Sequence, residues 1–274
     1  MIIFLAGAST GEALRYLIEA KAKHVLSSYY YLEKNKIDLK KFPFKKIFLD
    51  SGGYTARIQN KKILVKNYGK FIIKNKKYIH SFANLDLTET KGTIKNQEYL
   101  EKIGLKPIPV FHFDEWKAKK FKLFSDYITR HDKIAIGGIA GVPAKFKDLE
   151  KFLNFVFRHT KDKIKVHGFG ITGSKILKTY PFYSADSTSW LIGAQYAKLF
   201  RFKGQKFIII SVGRKIKIEK EKLLKLDNPY QYINVDKTMR KKNSIRCIQN
   251  IRAYQEYEKF ITRLWKIKGI EWKE

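Results

Sequence analysis

Lys46-Ile-Phe-Leu-Asp50-Ser51-Gly52-Gly53-Tyr54 is a short β-prone run that ends in a carboxylate and opens at once into paired glycines. An apolar run of this length bounded by glycine reads as a strand followed by a turn. Seven further runs of the same kind occur at 2–5, 24–27, 80–85, 107–111, 133–136, 163–166 and 181–184, so residues 46–49 form the third of eight. Amphipathic segments lie between them, with helices expected over 10–21, 65–77, 94–103, 115–130 and 147–159; Ser9 and Glu12 open the first as a capping box. Such alternation marks parallel βα units, and eight of them point to an α/β fold closed as a TIM (β/α)8-type barrel more than to an open doubly wound sheet. From about Leu191 the alternation fades, leaving 207–211 as a possible extra strand and 237–268 as a basic helical segment. The expected organisation is an α/β barrel over 1–200 and a basic, mostly helical C-terminal appendage over 201–274 packed on it.

The 274 residues are 44% hydrophobic, enough for one large core. Lys and Arg number 57 against 25 Asp and Glu, a net charge of +32, far beyond what solubility requires. A polyanionic partner is implied, with nucleic acid leading because Lys and Arg bind phosphates and release counterions. The competing explanation is a coding bias toward Lys, Ile and Asn. Arg240, Lys241, Lys242, Arg246 and Arg252 cluster in the C-terminal segment as candidate nucleic-acid contacts, the alternative being an ordinary solvated helix face. The single Cys247 excludes an internal disulfide and a Cys-rich zinc site, and fits a reducing cytoplasm. The apolar start lacks a basic leader and reads as a first strand rather than a signal peptide. No run approaches the ~18 apolar residues of a membrane span, so a soluble protein without membrane contact is expected.

In an α/β barrel the chemistry gathers at the C-terminal ends of the strands. Here those ends carry Asp50, then Asp86 after Phe82-Ala-Asn-Leu, then His112 with Asp114 beyond it, Gly137-Gly138, His167-Gly168 and Asp186. Two carboxylates can divide a substitution at an anomeric carbon, one attacking while the other handles the leaving-group proton. A third can accept hydrogen bonds from a purine edge. Glycines such as Gly52 admit a flat base close to the backbone, and Tyr54 offers a stacking face. Any single Asp after an apolar run also reads as a helix N-cap; it is the set that favours chemistry. His112 and His167 with two carboxylates are a conceivable metal site, but no tight ligand spacing supports one, and no metal is expected. Gly7-Ala-Ser-Thr-Gly11 lacks the Gly-Lys-Ser/Thr ending of a phosphate loop and reads as a strand-to-helix turn.

These residues resemble a known family. Asp50-Ser51-Gly52-Gly53-Tyr54 is similar to the Asp-Ser-Gly-Gly-(Phe/Tyr) signature of tRNA-guanine transglycosylases, and Leu85-Asp86 to that family's Phe-Asp-Glu segment. Ile136-Gly-Gly-Ile-Ala-Gly141 and His167-Gly-Phe-Gly170 resemble its two glycine loops, and Tyr183-Ser-Ala-Asp186 falls where the family has its nucleophile. The likeness runs in collinear order from about Phe48 to Trp190. It implies a pentosyltransferase in which Asp186 is the nucleophile and Asp50 the general acid/base. Asp86, Ser51, Gly52, Tyr54, His112, Gly137, Gly138, His167 and Gly168 would bind the base, with Tyr54 and His167 on its two faces.

The departures matter as well. The family's zinc site needs several Cys ligands, and only Cys247 is present. Thr55 replaces a Gln, Phe111-His112-Phe113 replaces Gln-Gly-Gly, and His167 stands where the family has a Met. The pattern therefore looks like the compact phage-type branch that inserts 7-deazaguanines, relatives of the queuosine precursors, into DNA. This implies DNA modification in the cytoplasm of a host cell, a 7-deazaguanine such as the 7-cyano form as co-substrate, no cofactor and no zinc. Accessory proteins or a homodimer are possible partners. RNA base exchange, a catalytically silent nucleic-acid-binding protein and a base-excising glycosylase remain the alternatives.

Overall fold

The computed structural model describes residues 1–9, 11–139, 146–160, 163–211 and 243–272. Eight parallel strands, β1 (Ile2–Ala6), β2 (His24–Ser28), β3 (Lys46–Asp50), β4 (Ser81–Phe82), β5 (Val110–His112), β6 (Lys133–Gly137), β7 (Lys165–Gly168) and β8 (Ser184–Ser187), form one curled sheet. Their order is β4-β3-β2-β1-β8-β7-β6-β5. Each expected run overlaps a strand, but β4 shortens to two residues within the 80–85 window, β5 and β7 share only two residues with the runs at 107–111 and 163–166, and β8 shares only Ser184 with the run at 181–184. The two outermost segments approach one another: Ala83 and Ile108 form a parallel bridge, Ile108 N–H donates to Phe82 O at 2.9 Å, and Asn84 N–H donates to Ile108 O at 3.0 Å.

Side-chain alternation sorts the strands into two apolar layers. Ile2, Phe4, Ala6, Leu26, Phe48, Ala83, Val110 and Ala135 fill the concave interior. Ile3, Leu5, Val25, Ile47, Leu49, Ile134 and Val166 face outward into the layer made by the helices. Strands buried on both faces need continuous apolar sequence, which is why these runs show little polar alternation.

The helices are α1 (Gly11–Glu19), α2 (Tyr29–Lys34), α3 (Gly53–Ile58), α4 (Val65–Asn75), α5 (Thr90–Lys102), α6 (Phe113–Lys117), α7 (Phe121–Arg130), α8 (Phe146–Thr160), α9 (Ser174–Thr179) and α10 (Ser189–Gln195). The single helix expected over 115–130 is two, because Lys119 takes a left-handed backbone with φ 57°. The capping box expected at α1 is not made. Ser9 Oγ accepts the Ser28 N–H at 2.8 Å, and Glu12 accepts the Tyr16 hydroxyl at 2.5 Å.

After α10 an antiparallel hairpin, β9 (Lys198–Lys203) and β10 (Lys206–Ser211), precedes the long α11 (Asn243–Ile267). The expected extra strand at 207–211 is thus one arm of the hairpin, and the expected basic helix is described from Asn243 onward. Cys247, Ile251, Tyr257 and Ile261 of α11 are buried in the same apolar layer as the outward face of the sheet. Asn250 joins the pieces: its Nδ2 donates to Trp190 O and Lys198 O at 3.0 and 3.1 Å, and its Oδ1 accepts the Phe200 N–H at 2.6 Å. Among the described residues no helix is long and apolar enough to cross a membrane.

Candidate active site

Because all eight strands run the same way, their C-terminal ends open on one side, and the inward-facing residue at each end looks into a shared mouth. Asp50 ends β3, two residues beyond the inward Phe48. Its Oδ2 accepts the Gly52 N–H at 3.0 Å, and Ser51, itself buried, accepts the Gly53 N–H at 3.4 Å. The paired glycines are a steric requirement. Gly52 has φ 74°, and a Cβ there would sit 2.4 Å from Ser28 Oγ and 2.6 Å from Tyr30 Cβ. A Cβ on Gly53 would meet the Asp86 carbonyl oxygen at 2.8 Å. The loop therefore packs between the start of α2 and the Asp86 segment, as only glycine permits.

Asp186 lies inside β8 and is 7% exposed. Its Oδ1 accepts the Gly170 N–H at 3.0 Å, and His167 Nε2 lies 3.4 Å from the same oxygen. His167 Nδ1 pairs with Ser184 Oγ at 2.9 Å, so the loop after β7 and the inward face of β8 hold the carboxylate together.

Asp86 follows β4 on a segment braced by Asn84, whose Nδ2 donates to Thr93 O at 3.0 Å and whose Oδ1 accepts the Leu85 N–H at 2.8 Å. Asp86 Oδ2 is 3.5 Å from His112 Nε2, while its Oδ1 is buried without a hydrogen-bond partner. A buried carboxylate oxygen with no donor is costly, and it marks where a donor on a ligand would be welcome. Behind His112, Glu115 Oε2 lies 3.5 Å from Nδ1 and accepts the His112 N–H at 3.0 Å. Glu115 Oε1 accepts the Thr90 hydroxyl at 3.2 Å. Gly137 and Gly138, at the end of β6, lie against the same imidazole: a Cβ on Gly137 would be 3.4 Å from His112 Cδ2, and one on Gly138 3.6 Å from His112 Cβ.

The carboxylates feel one another. Burial pushes Asp50 up to about 6, against the Gly52 N–H that favours its ionised form, and the Asp186 charge adds to the rise. Asp86 is pushed up to about 7, again chiefly by burial; His112 pulls it back while Asp50 and Glu115 raise it further. Burial works against the charged form of His112, but Glu115 and Asp86 outweigh it and lift the imidazole above its ordinary value. The same imidazole draws Glu115 below the usual carboxylate range despite burial. Asp50 thus couples to both Asp86 and Asp186. A carboxyl near 6 can give or take a proton at neutral pH.

Of the residues expected in the site, Asp50, Ser51, Gly52, Asp86, His112, Gly137, Gly138 and Asp186 gather around this mouth. Others do not play the part expected. His167 is fully buried, with its ring stacked on Phe48 at 4.4 Å between centroids, so it has no open face for a base. A Cβ on Gly168 would point at Phe182 Cε1, 2.8 Å away in the outward layer; this glycine serves packing. Tyr54 is 68% exposed on the rim and packs with Arg57, whose guanidinium carbon is 5.4 Å from the ring centroid. Arg246 is not a phosphate contact: it is buried, and its Nε donates to Ala194 O at 2.9 Å. Arg252 is exposed on α11. Arg240, Lys241, Lys242 and Gly141 lie outside the described residues.

Glu115, Ser184 and Gly170 were not anticipated. Glu115 carried a readable signal, an acid three residues after a histidine at a strand-to-helix junction. Ser184 and Gly170 stood inside segments quoted for the resemblance, but no role was read for them because their partners come from other strands. Among the described residues no three His, Cys, Asp or Glu side chains converge to hold a metal. A larger groove of about 750 Å³, lined by Lys76, Lys106, Arg130 and Lys133, lies at the opposite end of the strands, away from the carboxylates. No family model matches the chain, and no curated protein matches it.

Proposed function

We propose that this chain is a DNA-guanine transglycosylase that exchanges guanine in DNA for a 7-deazaguanine, on a sheet closed as a (β/α)8 barrel by the meeting of its two edges. The observation that carries the reading is that Asp50, Asp86 and Asp186 stand at or just beyond the C-terminal halves of parallel strands of one sheet, with Asp86 Oδ1 buried and without a hydrogen-bond partner. The target nucleotide unstacks from its neighbours, at a cost of a few kcal/mol that phosphate contacts offset. Asp186, oriented by the Gly170 N–H and His167, attacks C1′. The C1′–N9 bond breaks as the Asp186 oxygen–C1′ bond forms, and Asp50 passes its proton to the departing guanine. The incoming base enters the vacated space, its N9 attacks C1′, and its N9 proton returns to Asp50 as Asp186 leaves. Two inversions give net retention.

Asp86 suits the purine edge because its Oδ1 has no protein donor; the edge N–H groups of guanine and of a 7-deazaguanine would supply one. Gly138 is exposed on the far side of His112, where its backbone would border the base, while Gly137 is buried beneath it. The reading keeps the enzyme in a cytoplasm, in line with its single cysteine.

The test is mass spectrometry of nucleosides from DNA incubated with the protein and 7-cyano-7-deazaguanine. A 7-deazaguanine deoxynucleoside is expected with the native chain. With Asp186→Asn neither that product nor a covalent DNA adduct should form. Product made equally by Asp186→Asn removes the nucleophile, label entering only RNA moves the substrate, and accumulation of abasic sites would make the chain a glycosylase.

A further inference from the structure

We infer that the strand bearing the reacting nucleotide is bound unpaired, with a neighbouring base stacked on Tyr54 and its phosphates against Arg57, Lys61 and Lys62. The inference rests on the base-exchange reading only for where the reacting nucleotide lies.

Three observations carry it. First, Tyr54 sits in the first turn of α3, four residues beyond Asp50, and most of its ring is in solvent. The buried His167 removes the opposite wall of any sandwich around the reacting base, so the tyrosine is free for a different base. Arg57 braces it: the guanidinium carbon lies over the ring, 5.4 Å from its centroid, leaving the other face for a base, and Nη1 donates to Thr88 Oγ1 at 3.0 Å, tying α3 to the segment after Asp86. Ile58 and Leu87, both largely exposed, extend the apolar surface.

Second, a groove of about 400 Å³ runs from this tyrosine's helix to Asp86, with Arg57, Lys61 and Lys62 along its wall. Among the described residues that line it Asp86 is the only acidic one, and Tyr54 stands outside it, between Gly53 and Arg57 in the same helix. That volume suits one small polar ligand, since pockets of roughly 300–1,000 Å³ hold drug-sized molecules. A wall with three cations and a single carboxylate fits a ligand that carries a phosphate.

Third, an exposed aromatic interleaved with cations is the chemistry of single-strand grooves, where the π-face of each base meets a ring and the backbone follows positive charge. In a duplex the base faces are stacked on one another and cannot reach Tyr54. The surface thus selects an unpaired strand without reading its sequence.

Fluorescence anisotropy with a short oligothymidylate, which contains no guanine to exchange, tests the groove apart from the chemistry. The single strand should bind at least about tenfold more tightly than a duplex of equal length. Tyr54→Ala should weaken single-strand binding about tenfold, while Tyr54→Phe, which keeps the ring, should retain it within about twofold. Lys61→Ala with Lys62→Ala should reduce the slope of log affinity against log salt by about 1.4, at roughly 0.7 per phosphate contact on a single strand. Lys76→Ala with Lys106→Ala, at the far end of the strands, should change affinity less. Equal duplex affinity, or an unaffected Tyr54→Ala variant, overturns the inference; an oligouridylate bound tenfold more tightly overturns its assignment to DNA. If these results hold and no base exchange occurs, the function fails and the groove stands; if exchange occurs and Tyr54→Ala binds normally, the groove alone fails.

Discussion

Asp50 and Asp86 show how two like residues come to differ from an exposed carboxylate. Both are raised chiefly by burial, Asp50 to about 6 and Asp86 to about 7, so folding favours their protonated forms. The sign of the linkage follows. Each contributes stability fully present below the unfolded value near 3.8 and lost as pH rises through 6 and 7. Asp50→Asn and Asp86→Asn should therefore gain stability relative to the native chain between pH 4 and pH 8, each on the order of 2 kcal/mol. Thermal melts at the two pH values check this, and a difference independent of pH would contradict the burial argument. His112→Asn removes the charge that pulls Asp86 down, so the Asp86 midpoint should climb above 7. Carboxyl NMR would follow it; an unmoved midpoint would break the 3.5 Å pairing. At this scale the identities of the three aspartates were legible in sequence, since each ends or follows an apolar run. Their protonation was not, because burial and mutual repulsion depend on residues tens of positions away.

At the scale of elements, the strands were more legible than the helices. Doubly buried strands need apolar runs, and β1, β2, β3 and β6 stood out on that ground, whereas the polar β8, Ser-Ala-Asp-Ser, begins where the run expected for it ends. The short α2, α3, α9 and α10 did not, because a helix of six or seven residues shows too few turns for its period to register. Where elements join, single polar residues carry much of the order. Asn250 satisfies two backbone carbonyls and one N–H from α10 and β9; the bonds to Trp190 and Phe200 are buried and the one to Lys198 is part-buried. Asn250→Ala should cost about 2–4 kcal/mol by orphaning them and lower Tm by roughly 5–15 °C for a chain of this size. Calorimetry measures it, and a loss under 0.5 kcal/mol would mean that the hairpin and α11 are held by packing alone. Arg246 belongs to the same joint: its guanidinium reaches Ala194 O, so Arg246→Ala should lower stability while Arg252→Ala should not.

At the scale of the whole molecule, the net charge of +32 belongs to the surface while the carboxylates belong to the mouth. If the excess charge serves a polyanion, affinity for DNA should fall steeply with salt, losing roughly 10³-fold or more between 50 and 200 mM for six or more phosphate contacts. A flat salt dependence would make the charge compositional. The sequence by itself determined the α/β class, the places of the strands and the chemical types at their ends, because each rests on a local period or a local turn. The tertiary structure alone decided which of those ends share a mouth. It also buried His167, Gly168 and Arg246 and left Tyr54 on the rim. Those outcomes depend on the curl of the sheet and the packing of α11, which bring together side chains that no local pattern links.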